Sequence, residues 1–343
     1  MKKPLLLIFF LLWIPTANAH DSWRTRSDKH APAGLMGDHL HKPGTWMLEY
    51  KYMNMYMEGN RAGATRINDA DSILFGANSS PVTNRGATPT AMTHEMHMVH
   101  VMGGVTENIT AYAMIMAPAI TMDHLRGPMN PAGSGTDFRT HNSGFGDLTL
   151  GALLGLYSDE TNDIILNLAG SVPTGEIYRT TSIPTDGAMS QAMPYPMRLG
   201  SGTFNAKPGI TWKHFTETGS YGVQFQTDLP IGRNYRGYSV SDEFRLNTWY
   251  SHVVSDNVSA SLRVENLWRN QFGGADPDAN NMLISTNVES FRGGYWLNFG
   301  AGVATILNGH LLNVEFVPTL HQNLNGIQLE TDWSLVASWS KSF

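Results

Sequence analysis

Apolar and polar residues alternate with a period of two along most of this 343-residue chain. At its end, Trp333, Leu335, Ala337, Trp339 and Phe343 share one parity, and Asp332, Ser334, Ser338, Ser340 and Ser342 share the other. A strand sends successive side chains to opposite faces, so this segment has one apolar and one polar face. The same pattern predicts strands over 45–57, 92–105, 109–120, 144–157, 163–172, 203–215, 221–231, 240–254, 258–270, 290–307, 310–320 and 327–343. Tight polar turns, such as Thr106-Glu107-Asn108, Ser255-Asp256-Asn257 and Asn308-Gly309, alternate with connections over 58–91, 121–143, 173–202, 232–239 and 271–289 that are mostly long. The connection over 321–326 is the short exception.

Charge decides which face is inside. Tyr221, Val223, Phe225 and Leu229 oppose Gln224, Gln226 and Asp228, while Val258, Ala260, Leu262, Val264 and Trp268 oppose Arg263, Glu265 and Arg269. A soluble sandwich would bury the apolar parity and solvate the charges. A lipid-facing charge costs about 2–4 kcal/mol near the bilayer midplane, so in a membrane the charged parity must face a lumen. Short turns on one side, long loops on the other and a terminal Phe favour the membrane solution. The expected fold is all-β: a transmembrane up-and-down antiparallel β-barrel of about 12 strands with both termini periplasmic.

Composition agrees. Lys2 and Lys3, an apolar run from Leu5 to Ile14 and Ala17-Asn18-Ala19 read as a secretory signal peptide over 1–19, with the mature chain starting at His20. That run is shorter than the roughly 20 residues a membrane-spanning helix needs. Residues 20–44 are too polar and irregular for a strand, and 45–343 form the barrel. With no cysteine there are neither disulfides nor thiolate sites. Removing Lys2 and Lys3 takes the formal charge from −6 to −8, which argues against nucleic acid as a partner. The compartment that follows is the bacterial outer membrane, with lipid and a small-molecule solute as partners.

Two groups of inward residues carry candidate chemistry. The lumen charges include Glu49, Lys51, Asp147, Asp228, Arg245, Arg263, Glu265, Arg292 and Glu315, with Lys207, Lys213, Glu243, Arg269, Glu330 and Asp332 on the same parity. They read either as a wet selective pore or as ion pairs bracing a narrow interior. The second group is a methionine and histidine face. Met53, Met55 and Met57 share a parity on the first strand, His94, Met96, Met98, His100 and Met102 on the second, and Tyr112, Met114 and Met116 on the third. Neighbouring strands would merge these into one inner wall, leaving Glu95 and His97 outward, which is tolerable only at the rim. Thioether and imidazole together select Cu or Ag ions when thiolate is absent. His20, Asp21, His30, Asp38, His39 and His41 precede the first strand, in a segment that either hangs in the periplasm or folds up beneath the methionines, and offer a Zn²⁺ variant of the same idea. No fixed ligand spacing is present, which favours methionine as a weakly polar filler over methionine as a ligand.

Several stretches carry a resemblance. They are His30-Ala31-Pro32-Ala33-Gly34-Leu35-Met36-Gly37-Asp38-His39, Met57-Glu58-Gly59-Asn60-Arg61, Ser143-Gly144-Phe145-Gly146-Asp147-Leu148, Pro173-Thr174-Gly175, and Pro194-Tyr195-Pro196-Met197-Arg198-Leu199-Gly200-Ser201-Gly202-Thr203. Together they resemble the outer-membrane proteins of the phenol meta-pathway degradation family across nearly the whole mature chain, with Arg198 where many relatives have Gln. The resemblance implies a monomeric outer-membrane barrel that passes hydrophobic small molecules.

Four functions compete on this sequence. A passive channel is the first, since there is no energy-coupling box and 20–44 is too short for a substantial plug domain. A soft-metal-handling barrel is the second, and a loop-borne structural or adhesive role another. An outer-membrane hydrolase would need a Ser within reach of an oriented His. Ser251 and His252 point to opposite faces and no Gly-x-Ser-x-Gly elbow occurs, so the reading is of a non-enzyme with no organic cofactor.

Overall fold

The computed structural model describes residues 26–74, 86–128, 130, 137–182, 190–281 and 283–343. The signal peptide expected over 1–19, together with His20 and Asp21, lies outside the described residues. In chain order the strands are β1 (Trp46–Gly63), β2 (Thr65–Ile67), β3 (Ala87–Thr106), β4 (Ile109–Arg126), β5 (Asp137–Ser143), β6 (Leu148–Ser158), β7 (Asn162–Val172) and β8 (Thr180–Ser182). They continue as β9 (Ser190–Ala192), β10 (Phe204–Ala206), β11 (Gly209–Phe215), β12 (Gly219–Ile231), β13 (Glu243–Ser255), β14 (Val258–Arg269), β15 (Gly294–Leu307) and β16 (His310–Ser342). One short helix, α1 (Asp69–Leu74), follows β2. Eleven strands close an antiparallel ring in the order β1-β3-β4-β6-β7-β11-β12-β13-β14-β15-β16, and β16 returns to β1. At the seam Trp46 and Phe343 exchange backbone hydrogen bonds of 3.1 and 2.7 Å.

The ring is inside-out relative to a soluble sandwich. Val99, Val101, Ile115, Leu150, Leu168, Leu262, Val303 and Val314 are exposed on its outer face. Lys213, Gln224, Asn247, Arg263 and Glu315 are buried within it. Among the described residues no helix is long and apolar enough to cross a membrane. Glu95 and His97 do point outward, but each is tied to a tyrosine of β1. Tyr52 donates to Glu95 at 2.7 Å, and the Tyr50 hydroxyl lies 2.7 Å from His97 Nδ1.

The strands outrun their expected bounds at the long-loop end. β1 continues to Gly63 and pairs there with β2, and β4 continues to Arg126 to pair with β5, where loops over 58–91 and 121–143 were expected. The strand expected over 203–215 breaks at Lys207-Pro208, because Pro cannot donate to the ladder. The one expected from 290 starts at Gly294 and the one from 240 at Glu243. The break expected over 321–326 is absent from the 33-residue extended run of β16. Its first half pairs with β15 and its second with β1. The halves also touch each other: Gln322 and Thr331 exchange two hydrogen bonds, Phe316 lies against Trp333, and Trp339 Nε1 donates to His310 at 2.9 Å.

Residues 26–44 lie inside the barrel, bonded to its inner wall. They enter at the short-turn end, climb to mid-barrel and return to β1. Of the two arrangements the sequence leaves open for this segment, hanging free or folding up beneath the methionines, the second is seen, and the wall supplies the bonds that hold so short a chain. Arg26 donates to the Thr216 carbonyl (2.9 Å) at one turn, and Ser220 Oγ donates to the Asp28 carbonyl (2.8 Å). Higher up, Lys51 donates to the Leu35 carbonyl (2.9 Å), Gln224 to that of Met36 (2.9 Å), and Lys213 to those of Lys29 (2.7 Å) and Asp38 (3.0 Å).

Candidate functional site: a plugged lumen with a methionine wall

The inner wall divides into two faces above the plug. On β13 to β16 the inward charges form a ladder. Arg263 bonds Glu315 (2.7 Å), Glu265 (3.1 Å) and Asn247 (2.8 Å). Arg245 bonds Glu243 (2.6 Å) and Glu265 (3.3 Å), and Arg269 bonds Glu243 (2.5 Å). Lys207 pairs with Asp228. The ladder changes character with height: Arg263 and Glu315 side chains are 3% and 1% exposed, whereas Arg245 and Arg269 reach 29% and 39%. The lower pair is therefore a structural brace and the upper charges face open space.

That brace holds the plug. Glu315 Oε2 accepts the Gly34 N–H at 2.7 Å. A Cβ on Gly34 would sit 2.4 Å from Arg263 Nη2 and 2.8 Å from Glu315 Oε2. Only glycine allows the backbone to approach the ion pair this closely.

On β1, β3 and β4 the expected methionine wall is present. Register places Met53 beside Met96, Lys51 beside Met98, and Met98 beside Met116. Met53, Met55, Met96 and Met116 stay partly exposed although they point inward, so they face space that protein does not fill. Met57 and its neighbours Met92, Ile120 and Met122 are different. They pack against Met193, Met197 and Leu199 of the loop after β9, which folds into the barrel mouth. Part of the long connection over 173–202 thus covers the upper end of the methionine wall as a cap. The cap is tied to the loop after β14 by a buried ion pair, Arg198 to Asp276 at 2.8 Å, with side chains 3% and 0% exposed. The Tyr195 hydroxyl also accepts the Asp276 N–H at 2.9 Å.

Two of the expected lumen charges sit elsewhere. Asp147 lines no pore. Its carboxylate accepts the N–H of Gly175 (2.9 Å), the N–H of Ser201 (2.8 Å) and the Ser201 hydroxyl (2.7 Å), stapling both ends of the third loop to β6. Arg292 lies just before β15 rather than on it, with Nη1 buried and without a hydrogen bond among the described residues. A carboxylate or guanidinium on inward parity reads the same in either setting, so sequence could not separate them.

Low in the barrel the histidines of the plug meet the wall. Asp38 accepts the Ala31 N–H (2.7 Å) and the Nδ1–H of His39 (2.8 Å). The His30 and His39 rings lie 4.1 Å apart, and those of His39 and His41 4.9 Å. Burial pushes His41 down to about 3 and His30 well below the ordinary imidazole range. Burial would raise Asp38, but His39 and Lys213 beside it hold it well below the usual carboxylate range. His100 of the wall places Nδ1 3.3 Å from Glu49, which also lies 3.5 Å from Lys51. His94, expected in the same group, lies higher and has Nε2 buried without a partner among the described residues. Asp38, His39, His41 and His100 are therefore brought together, apart from the methionine set. The wall residues Gln224, Asn313 and Thr110, which bind the plug backbone, were missed, because neutral inward residues give no signal beyond parity. Ser251 is buried while His252 is exposed beside Tyr250, so the two do not meet.

No family model matches this chain, and no curated protein matches it. Among solved structures, an outer membrane channel from Pseudomonas putida F1 superposes with a TM-score of 0.60 at 14% identity, over 89% of this chain and 97% of that one. The TodX monoaromatic hydrocarbon channel deltaS2 mutant (TM-score 0.44, 9% identity, 92% and 94% covered) and the NanC porin (0.43, 7%, 86% and 98%) align too loosely to bear on the argument. At these identities the likeness concerns fold alone: the chain has a closed antiparallel barrel similar to that of this channel.

Proposed function

We propose that this protein is a monomeric outer-membrane channel for passive passage of small solutes with an apolar or aromatic body, and that residues 26–44 are its gate. In this reading the halves of β16 count as two spanning strands, giving twelve in all. A single 33-residue strand at about 3.3 Å per residue would far exceed a bilayer. The short turns and both termini face the periplasm. Membership of the phenol meta-pathway family is part of the same proposal, supported by its shared Gly146-Asp147, Pro173-Thr174-Gly175 and Gly200-Ser201 stretches converging on one carboxylate.

The observation that carries the reading is the two-faced space between cap and plug. Thioethers are polarizable and gain about 0.3–1.5 kcal/mol against an aromatic ring, which suits brief contact without tight retention. The partly exposed charges at the top of the ion-pair ladder can accept a polar substituent. The test is planar-bilayer conductance and liposome entry of a small aromatic alcohol, comparing the mature chain with a variant lacking 26–41. The deletion should raise both signals several-fold. A folded deletion variant that conducts and transports as the intact chain does would refute the gate. Equal entry of a sugar of similar mass would refute the solute class.

A further inference from the structure

We infer that the seam between plug and wall binds one divalent transition-metal ion through the imidazoles of His30 and His39, with His100 reaching it from β3 across the same cavity. This goes beyond the channel reading and does not depend on it. A ligand atom from each of His30, Asp38 and His39 lies within 4.8 Å of the others. The Nε2 atoms of His39 and His100 are buried with no hydrogen-bond partner among the described residues. A cavity of about 20 Å³ touches His30, His39 and His100, with the Met47 and Met102 side chains behind them. That is room for one water or one ion.

The surrounding groups explain which atoms face the cavity. Metal-bound histidines characteristically donate their other ring N–H to a carboxylate, which fixes the tautomer and raises ligand basicity. Here Asp38 accepts from His39 Nδ1, and Glu49 lies beside His100 Nδ1. An ionised carboxylate only accepts, so Nδ1 of His39 carries the proton and Nε2 keeps a free lone pair. Asp38 is then a positioning residue, its other oxygen already taken by the Ala31 N–H. Lys51, Lys213 and Lys29 also face this region, but Lys51 and Lys213 are bonded to plug carbonyls. With two carboxylates set against these ammonium groups, the pocket has no excess negative charge to attract a cation. Binding strength must come from imidazole lone pairs, which favours Zn²⁺ or Cu²⁺ over the oxygen-seeking Mg²⁺ and Ca²⁺.

The test uses the refolded mature chain in detergent, stripped with chelator and titrated with Zn²⁺, with metal content measured after gel filtration. The expected result is one Zn²⁺ per chain, undisturbed by excess Mg²⁺ or Ca²⁺, with an X-ray absorption shell of imidazole nitrogens at about 2.0–2.1 Å. Asp38→Asn should weaken binding by about 10–100-fold while keeping that shell. The double variant His30→Gln/His39→Gln should lose the metal, and Met92→Leu should keep it. A chain that takes up no Zn²⁺ or Cu²⁺, its cavity holding water alone, overturns the proposal. So does equal binding by a double variant whose heat-modified gel mobility shows an intact barrel. Should that variant not fold, the absorption spectrum of the unaltered chain decides, and a thioether or all-oxygen shell refutes the site.

Discussion

Replacing Gly34 with alanine tests the plug at its tightest point. The added Cβ would meet Arg263 Nη2 at 2.4 Å and Glu315 Oε2 at 2.8 Å. A flexible side-chain end would normally swing away from such a contact. Arg263 cannot do so cheaply, because Glu315, Glu265 and Asn247 hold three of its nitrogens. Overpacking of this kind costs about 1–3 kcal/mol. If the Gly34 N–H also leaves Glu315, a hydrogen bond to a charged group worth about 1.5–3 kcal/mol goes with it. The cost falls on the docked state alone, since Gly34 has no such neighbours once the segment is out of the lumen. Taken together, about 2.5–6 kcal/mol shifts the docked-to-released ratio by roughly two to four powers of ten. The assay is single-channel conductance together with trypsin cleavage at Lys29, which is partly buried in the docked segment. Long open intervals and rapid cleavage are expected in Gly34→Ala. Unchanged gating and cleavage would refute the claim that the Arg263–Glu315 pair is the plug's anchor.

Three further outcomes follow from the cap. Asp147→Ala removes three hydrogen bonds and orphans the N–H groups of Gly175 and Ser201, at about 1.5–3 kcal/mol per bond and less than additively. Protease cleavage within 173–202 should rise sharply while the barrel's thermal transition stays put, and a loop that resists cleavage as before would count against the staple. Arg198→Gln breaks a buried ion pair whose loss costs about 3–5 kcal/mol when no other partner remains, and less here because Arg236 also bonds Asp276 at 2.8 Å. Conductance noise from a loosened mouth should increase, and a quiet variant trace would sink the idea. Burial alone would raise the Asp276 carboxyl, but Arg236, the Asp278 N–H and Arg198 together bring it below the ordinary value. A depressed folded pKa stabilises fully above the unfolded value of about 3.9 and is lost as pH falls through the folded one. The cap should therefore stay closed from pH 8 to pH 5 and release only in stronger acid; release beginning near pH 6, followed by loop proteolysis, would contradict this.

The barrel was legible because one rule, apolar outward and polar inward, governs every second residue, and Leu262 opposite Arg263 or Val314 opposite Glu315 obeys it. The Asn308-Gly309 turn was legible for a local reason: both residues adopt positive φ, 50° and 76°, which few other residue pairs tolerate. The extensions of β1 and β4 were not, because the apolar–polar alternation lapses there, and Gly59-Asn60-Arg61 or Asp123-His124 reads as loop. The Lys207-Pro208 break is legible in the sequence, since Pro cannot donate to the ladder. The plug was legible only as one of two alternatives, for a deeper reason. It is held through its own carbonyls, which are alike in every residue, by side chains scattered from Lys51 to Asn313. His39 and His41 stood out as candidate ligands, but nothing in their spacing indicated that His100 would meet them.

The bond between Gly34 and Glu315 also has a temporal meaning. One partner precedes β1 and the other lies on β16, 281 residues away. The segment that fills the lumen can reach its resting place only after β15 has received β16. The same late strand pairs with β1 to seal the wall. Contacts between such distant parts of a chain form slowly, since a long loop must be closed before any of them is gained. Sealing and filling therefore share a final step, and a chain halted before β16 would be left both unsealed and unfilled.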